Sequence, residues 1–502
     1  MLYTYLRRLL TVLGTSLSLS SCVMVGPDYV RPPAPTADGW IETGAPAITR
    51  EATDVSTWWA VFNDPALNSL VETAYRQNPS LHAAGLRVLE AQARRGIAFG
   101  LLFPQQQDAF GSYTQNEIST NTAGRDAPSL TTTFDNWQVG FDATWELDVW
   151  GRIRRGIEAA DADLLAAVAS YDDVLVSLIA EVATNYVILR TFEERLEIAK
   201  ANVAIQERSF EIANAKFEGG VVTQLDAAQA ASLLRDTQAL IPELETSIRQ
   251  TQNTLCILLG IPPQDLQLIL GDPRLIPAPP AEVAVGIPAD LLRRRPDIRR
   301  AERLLAAQSA QIGVAEADFL PSFSLLGTVS ISAEHFSDLF ETDSLENFGG
   351  PSFRWAILNY GRIQNNVRVQ DARFQALVSD YENTVLRAQQ EVENAIAGYL
   401  GAQHQVGFLT GSVESAARAV ELADLQYREG ASDYTRVLDT QQFLVTAQDR
   451  LISTKGTVAL NLIALYRALG GGWELRQGQD FIPEEIKVQM RERTRWGDML
   501  AD

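Results

Sequence analysis

The chain has 502 residues and a formal net charge of −21, and this surplus of carboxylates argues against binding to nucleic acid, which requires clustered Lys and Arg. Its hydrophobic content of 46% is ordinary, and beyond the N-terminus no apolar run reaches the roughly 18–20 residues of a membrane-spanning helix. The only cysteines are Cys22 and Cys256, which excludes a disulfide framework, and Cys256 lies in an apolar stretch typical of a small core residue.

Residues 1–21 have the features of a secretory signal peptide. Two arginines precede an apolar run that is too short to span a membrane. The run leads to Leu19-Ser20-Ser21-Cys22, which resembles a bacterial lipobox, so we expect Cys22 to become a lipidated, palmitate-bearing first residue. An ordinary signal peptide followed by a chance cysteine is the alternative. Because Val23 follows rather than aspartate, an inner-membrane retention signal is absent and the outer membrane is the expected location.

Residues 22–64 are expected to form an extended, lipid-anchored segment. It contains Gly26-Pro27-Asp28-Tyr29-Val30-Arg31-Pro32-Pro33, whose prolines disfavour a helix. From Pro65 apolar residues recur at helical spacing. Asn78-Pro79 interrupts this pattern, and a second helix is predicted to continue to about Leu102.

The stretch from Thr133 to Ile153 gives the clearest strand signal. Every second residue is apolar, which is the pattern of a strand with one apolar and one wet face. The apolar residues are Trp137, Val139, Phe141, Ala143, Trp145, Leu147 and Val149. We expect the polar face, with Asp142, Glu146 and Asp148, to line water. A preceding strand, about Gln105 to Ile118, alternates poorly, and the Asn-, Thr- and Ser-rich residues up to Thr131 are predicted to be an exposed tip.

A very long helix is predicted directly after this strand. Apolar residues recur every seven positions over about Arg152–Phe217, which indicates packing on neighbouring helices with a left-handed supercoil. Such a helix would extend on the order of 100 Å. Gly219-Gly220 ends it, and a return helix over about Thr223–Leu259 follows, in which Pro242 should produce a kink.

The same order of elements occurs twice. Trp145-Glu-Leu-Asp-Val-Trp-Gly-Arg-Ile153 matches Trp355-Ala-Ile-Leu-Asn-Tyr-Gly-Arg-Ile363 at an offset of about 210, and earlier anchors such as Asn78-Pro79 and Arg295-Pro296 match at about 217. The predicted organisation is a first repeat (65–260), a proline-rich linker (261–287), a second repeat (288–470) and a charged tail (471–502) without a predicted place. In the second repeat the predicted elements are a strand over Phe323–Ile331, a returning strand through Phe353, Trp355 and Ile357, a long helix over Arg362–Tyr427 and a return helix over Asp433–Leu469.

Four amphipathic strands per chain favour a membrane barrel built from several copies. A membrane tolerates no open sheet edge, and four strands fall short of the roughly eight in the smallest known barrels. A soluble sandwich, in which the apolar strand faces pack on a core, is the alternative.

The motifs together resemble the TolC/OprM family, the outer-membrane factors of tripartite efflux pumps, in its NodT-type lipoprotein branch. They are the lipobox, Gly26-Pro27-Asp28-Tyr29-x-Arg31-Pro32, the Trp-x5-Gly-Arg-Ile pair and Leu438-Asp439-x-Gln441. The resemblance implies a mixed, mainly helical fold that assembles as a homotrimer, with one twelve-stranded β-barrel and an α-helical periplasmic barrel. It also implies an outer-membrane exit duct for small molecules or drugs, whose partners are a periplasmic adaptor (membrane fusion) protein and an inner-membrane RND-type pump.

By the same resemblance, tyrosine and aspartate rings close the periplasmic entrance, and the matching residues are Asp226, Tyr427 and Asp439. Arg436 stands where some members have another aspartate, so it is expected to pair with Asp226 or Asp439. Two plainer interpretations remain open: the charges are solvated and contribute under about 1 kcal/mol each, and Tyr427 only packs in the helical seam.

Other residues point to structure rather than chemistry. Gly151-Arg152 and Gly361-Arg362 are expected to form the strand-to-helix turns, since glycine accommodates the sharp change of direction. No catalytic constellation appears, and the three widely separated histidines give no metal-ligand spacing. We therefore expect neither an enzyme nor a cofactor besides the lipid on Cys22. A lipid-anchored periplasmic scaffold or adhesin without transport is the alternative function, and neither the exported substrate nor the particular pump and adaptor can be read from the residues.

Overall fold

A computed structural model describes residues 24–42, 44–49, 54–119, 133–272, 274–280 and 282–500. The predicted signal peptide, Cys22 and the predicted exposed tip at 120–131 lie outside these residues. The described part is mainly helical. None of its helices combines the length and the apolar character that crossing a membrane requires.

In chain order the helices are α1 (Pro65–Gln77), α2 (Pro79–Gly100), α3 (Arg152–Glu218), α4 (Gln224–Leu258), α5 (Gln267–Leu270), α6 (Pro288–Arg294), α7 (Pro296–Ala317), α8 (Arg362–Arg428), α9 (Tyr434–Ala468) and α10 (Glu484–Arg493). The strands are β1 (Ile48–Thr49), β2 (Gln106–Glu117), β3 (Thr133–Leu147), β4 (Val283–Ala284), β5 (Ser322–Ala333) and β6 (Leu345–Arg354). The two long helices and their return helices are confirmed to within one residue at each end. Pro242 lies inside α4, and the kink expected there stays a prediction.

The chain divides into two compact units, and each combines parts of both sequence repeats. The first unit comprises Met1–Pro32, Leu89–Ala166 and Ala301–Asp380, and the second comprises Pro33–Val88, Ala167–Arg300 and Tyr381–Asp502. Each repeat contributes its strands to the first unit and its return helix to the second. A compact unit is therefore not the same thing as a repeat.

The first unit contains a four-stranded antiparallel sheet in the order β2-β3-β5-β6. Val139 lies opposite Ile331 and Phe141 opposite Val329, so apolar side chains of neighbouring strands share one face. On the other face Asp142 lies opposite Thr328, and the Thr328 hydroxyl donates to the Asp142 carboxylate at 2.7 Å. The alternation in the sequence is thus confirmed, and so is the weakly patterned strand, observed as β2.

The predicted returning strand through Phe353, Trp355 and Ile357 is wrong in its position. It is observed as β6, which ends at Arg354, before Trp355 and Ile357. The reason lies in the register, because Arg354 pairs with Ser322, the first residue of β5. Residues after Arg354 have no further strand residue opposite them.

Corresponding hydrogen bonds hold the helices of each repeat together in the second unit. Asn78 Nδ2 donates to the carbonyl of Leu258 at 2.9 Å, and Arg295 Nη1 donates to the carbonyl of Ala468 at 2.8 Å. Asn78 and Arg295 are the residues before the two prolines that anchored the repeat in the sequence. Each therefore joins the start of its repeat to the end of its own return helix.

The proline-rich linker contains short elements of regular structure. β1, from the N-terminal segment, pairs in parallel with β4 of the linker, and the linker also contains α5. The Trp40 indole donates to the carbonyl of Gly286 at 3.1 Å. The part of the N-terminal segment after Pro32 is thus packed with the linker in the second unit.

The charged tail also folds onto the second unit. Arg476 donates to both carboxylate oxygens of the fully buried Asp172 in α3, at 2.6 and 3.2 Å. The Phe481 ring meets Tyr171 edge to face, with centroids 5.2 Å apart. Residues after the second repeat are therefore part of this unit's core.

Candidate functional site

The two strand-to-helix turns have the same backbone geometry. Gly151 and Gly361 both have a φ of +80°, in the left-handed region where glycine is favoured. A Cβ at Gly151 would lie 2.6 Å from Met24 Cγ, whereas at Gly361 the nearest atom would be Asn365 Nδ2 at 3.7 Å. The first turn thus also provides room for the N-terminal segment.

Carboxylates stabilise the first of these turns. Arg152 donates to both oxygens of Glu146, at 2.8 and 2.9 Å. Asp148 accepts from the backbone nitrogens of Ile153 and Arg154, at 2.9 and 3.0 Å, and so caps the start of α3. Glu146 and Asp148, which the alternation assigns to a water-lining face, therefore have partners at this turn.

The second turn lacks these groups. The positions equivalent to Glu146 and Asp148 are Ala356 and Leu358, and Arg362 is exposed. Both turns share a tryptophan hydrogen bond. The Trp145 indole donates to the carbonyl of Leu102 at 3.1 Å, and the Trp355 indole donates to the carbonyl of Phe319 at 2.9 Å. The tryptophans of the repeated motif thus fasten each turn to the helix end before its strands.

The start of the N-terminal segment, up to Pro32, belongs to the first unit and is held there by Arg155, a buried residue that the sequence analysis did not single out. Its guanidinium donates to the carbonyls of Val25 and Gly26, at 3.1 and 3.0 Å, and to the Asp28 carboxylate at 2.8 Å. The backbone of Gly26 lies so close to Gly313 that a Cβ on Gly26 would come within 2.3 Å of Gly313 Cα. The Gly-Pro-Asp motif therefore fixes the start of the N-terminal segment against α3 and α7.

Tyr427 lies in the core where the helical hairpins end. It is 2% exposed, in a cluster with Tyr434 and Val437. Its ring meets Tyr434 at a centroid distance of 5.3 Å, and Lys216 Nζ lies 4.3 Å above the Tyr427 ring. The same ammonium donates to the carbonyls of Tyr427 and Arg428. In this conformation Tyr427 packs within its own chain.

Asp226 faces Tyr427 from the start of α4. Burial, reinforced by the nearby Asp226 carboxylate, raises the pKa of Tyr427 to about 12. Asp226 is half-buried, and its carboxylate lies 3.4 Å from the hydroxyl of Thr223. The structure therefore brings together two of the four residues assigned to the entrance by resemblance.

Arg436 and Asp439 are placed differently. Both are exposed on the first turns of α9, and among the described residues of this single chain neither forms an ion pair. Asp433 caps the same helix by accepting from the Arg436 backbone nitrogen at 3.3 Å. The expected pairing of Arg436 with Asp226 or Asp439 is not made within one chain, and a role between chains stays a prediction.

Sequence reasoning missed Lys216, one of the cations that join the α3–α4 hairpin to the α8–α9 hairpin. A lysine in the last turn of a helix is a usual partner for the free carbonyls there. Lys216, however, reaches the carbonyls of α8 rather than those of α3. That contact depends on the packing of two hairpins, which a helical pattern along one segment does not contain.

The sheet presents an exposed apolar surface. Side chains that remain exposed on the face shared by Val139 and Phe141 include Tyr113, Leu325, Val329 and Phe353. In the same sheet β2 and β6 are edge strands. Elsewhere in the described ranges, no group of three or more His, Cys, Asp or Glu side chains is placed to hold a metal ion.

Comparison with known proteins identifies the family. The family model described as outer membrane efflux protein matches residues 70–261 and 287–471, one match for each repeat. The pyoverdine export outer membrane protein OpmQ of Pseudomonas putida is 33% identical, over 93% of this chain and 98% of its own length. Nodulation protein T of Rhizobium leguminosarum bv. viciae is also 33% identical, over 91% and 92%.

A solved structure shows the same fold. The outer-membrane channel OprN is 34% identical and superposes with a TM-score of 0.83, covering 90% of this chain and 99% of its own. The resemblance inferred from the motifs is confirmed. The chain therefore belongs to the outer membrane efflux protein family.

Proposed function

We propose that this chain forms an outer-membrane exit duct, a passive conduit through which an efflux pump exports small molecules from the periplasm to the exterior. The observation that carries the proposal is the sheet of the first unit, which has one apolar and one polar face. The apolar face suits lipid, and the polar face suits a water-filled lumen. OpmQ and OprN are likewise named as an export outer membrane protein and an outer-membrane channel.

The open edges of the sheet support assembly. In a membrane the unpaired backbone groups of β2 and β6 would each cost several kcal/mol. Pairing β6 of one copy with β2 of the next removes both edges and closes a ring. We propose a homotrimer, in which three copies supply twelve strands, in line with the family resemblance.

The partners follow from the same family. We propose a periplasmic adaptor and an inner-membrane pump of the RND class, which would supply the energy that a conduit lacks. OpmQ and nodulation protein T are equally similar to this chain, yet their names refer to pyoverdine export and to nodulation. We propose that the pump, rather than the conduit, chooses the cargo.

We also propose that Cys22 carries the lipid anchor in the outer membrane. Met24 packs against Gly151, and the Val25 backbone nitrogen donates to the carbonyl of Trp150 at 3.1 Å. The chain is thus docked at the turn after β3 within two residues of Cys22. A lipid at Cys22 would accordingly enter the membrane beside the strands that we assign to it.

Conductance and assembly together test the function. Protein extracted from outer membranes should run as heat-modifiable trimers and should conduct ions in planar bilayers. A lipid-anchored scaffold or adhesin would give neither result. A stable single-copy species that does not conduct would contradict the proposal.

A further inference from the structure

A layer of buried amide and hydroxyl groups joins α3 to α9 in the second unit. Asn202 Nδ2 donates to Gln448 Oε1 at 2.9 Å, and Gln441 Nε2 donates to Ser209 Oγ at 2.7 Å. Asn202, Ser209 and Gln441 are each more than nine-tenths buried. We call these four residues, together with Gln206, the amide layer.

Gln206 is the unusual member of the layer. It lies on the face of α3 between Asn202 and Ser209 and is 2% exposed. Within the part of the chain that the structure describes, neither atom of its amide group has a hydrogen-bond partner, and neither does Gln441 Oε1. A buried amide without partners lowers stability. An apolar residue such as leucine would leave no buried amide without a partner here, so stability alone does not account for Gln206.

The internal repeat creates a second pair of helices of the same kind. α8 corresponds to α3, and α4 corresponds to α9. The residues equivalent to the two hydrogen-bonded pairs are Ser412 and Gln238, and Ala419 and Ala231. The position equivalent to Gln206 is Ala416. The equivalent helices thus keep one polar pair, in which Gln238 is exposed, but have alanine at the second pair and at the position of Gln206. The buried layer is therefore specific to α3 and α9.

We propose that the amide layer selects α9 of the same chain as the partner of α3 and fixes the register between them, at a cost in stability borne by Gln206. Against α4 of another copy in the same register, the Ser209 hydroxyl would lie opposite Ala231, the residue equivalent to Gln441, which offers no hydrogen bond. A few buried polar groups are known to determine the partner and register of packed helices in this way. The inference rests on the proposed assembly, which brings several copies of α3 and α4 together.

The first experiment measures the cost of Gln206. The variant Gln206→Leu should raise the Tm of the purified protein by about 2 °C or more, because an unpaired amide is replaced by an apolar group. The matched control is Gln238→Leu, which makes the same change at the exposed position equivalent to Gln448 and should leave the Tm unchanged. A lower Tm for Gln206→Leu would overturn the proposal.

The second experiment measures the register. Spin labels are placed at the exposed positions Glu211→Cys and Gln442→Cys with Cys256→Ser, and labelled chains are diluted with unlabelled ones so that only distances within one chain are read. The unaltered layer should give one narrow distance. The variant Asn202→Leu/Ser209→Ala/Gln441→Leu/Gln448→Leu should give a broad or second distance.

An unchanged narrow distance in that variant would refute the proposal. If the fourfold variant does not fold, the double variant Asn202→Leu/Gln448→Leu is measured instead. It should also give a broad or second distance. The mass of the assembly is determined separately on the unaltered protein. An assembly that is not a trimer would contradict the proposed function. The distances within one chain test the amide layer separately.

Discussion

Asp172 and Arg476, which lie 304 positions apart in the sequence, form a bidentate ion pair with a shortest distance of 2.6 Å, and Asp172 is fully buried. Arg299 approaches the same carboxylate at 3.5 Å. A buried carboxylate needs such partners, because removal from water disfavours its charged form. The tail is thus held to α3 by a contact whose loss leaves a charge without its main partner.

We expect Arg476→Ala to lower the free energy of unfolding by about 3 kcal/mol, since it breaks a buried pair. Differential scanning fluorimetry and limited proteolysis of the tail would measure the effect. Arg493→Ala, at an exposed arginine of the same tail, is the matched control and should change little. Equal stability of the two variants would contradict the importance of the pair.

The loss should depend on pH. Burial raises the pKa of Asp172 above its ordinary 3.8, against the opposing effect of Arg476. Because the pKa of Asp172 is higher in the folded than in the unfolded chain, the unfolded chain loses this proton first. The free energy of unfolding therefore falls as pH rises from 3.8 through the raised pKa. Without Arg476 the pKa should rise further, so the deficit of Arg476→Ala should be smaller at pH 5 than at pH 8. Melting curves of both proteins at the two pH values measure this difference. An equal loss of stability at pH 5 and pH 8 would contradict the prediction.

Lysine placed on either side of one strand should distinguish the two faces of the sheet. Val139→Lys puts a charge on the face assigned to lipid, which costs about 2–4 kcal/mol at the membrane midplane. Gln138→Lys puts the same charge on the opposite, polar face. We expect the first variant to reduce the amount of folded trimer in outer membranes and the second to be tolerated. Equal yields would remove the assignment of the faces.

The two turn glycines should respond unequally to alanine. Gly361→Ala carries mainly the strain of a positive φ, about 1 kcal/mol. Gly151→Ala carries the same strain and must also displace Met24, whose Cγ would lie 2.6 Å from the new Cβ. Thermal unfolding should therefore show a greater loss for Gly151→Ala. An equal loss would mean that the N-terminal segment is not packed at this turn in solution.

Removal of the Arg155 side chain should release the N-terminal segment. Arg155→Ala leaves the carbonyls of Val25 and Gly26 without its hydrogen bonds, so protease cleavage near residues 25–32 should become faster. Gly313→Val should act similarly, because a Cβ there would lie 2.8 Å from Val25 O. Gly156→Ala, next to Arg155 in open space, is the control. Cleavage unchanged in both test variants would contradict the docking role.

The entrance residues are testable by conductance. If Arg436 and Asp439 pair between copies, Arg436→Ala or Asp439→Ala should raise the conductance in planar bilayers, because the contact that narrows the aperture is lost. Glu421→Ala, at an exposed carboxylate on α8, serves as the control and should conduct like the unaltered protein. Unchanged conductance in both entrance variants would remove the assignment.

The sequence predicted elements well where a pattern repeats along one segment. The alternation around Val139 and the seven-residue spacing in α3 and α8 are local signals, and both are confirmed. The end of β6 depends on where its partner begins, at Ser322, so its own residues could not indicate it. β1 and β4 have two residues each, too few to show a period.

The candidate site was predictable only in part, for the same reason. The family motifs pointed to Tyr427 and Asp226, which the structure places together. The contacts of Lys216 with the end of α8, and of Arg155 with the N-terminal segment, join residues more than a hundred positions apart. Such contacts leave no periodic signal, and one sequence cannot show which distant residues meet.

The interleaving of the two repeats bears on how the chain could have arisen. One repeat alone encodes two strands of the sheet and one helical hairpin, and thus half of each compact unit. Two separate half-length polypeptides could have supplied what one gene now encodes. Within one chain the two copies have become different, with Glu146 and Asp148 at one turn and Ala356 and Leu358 at the other.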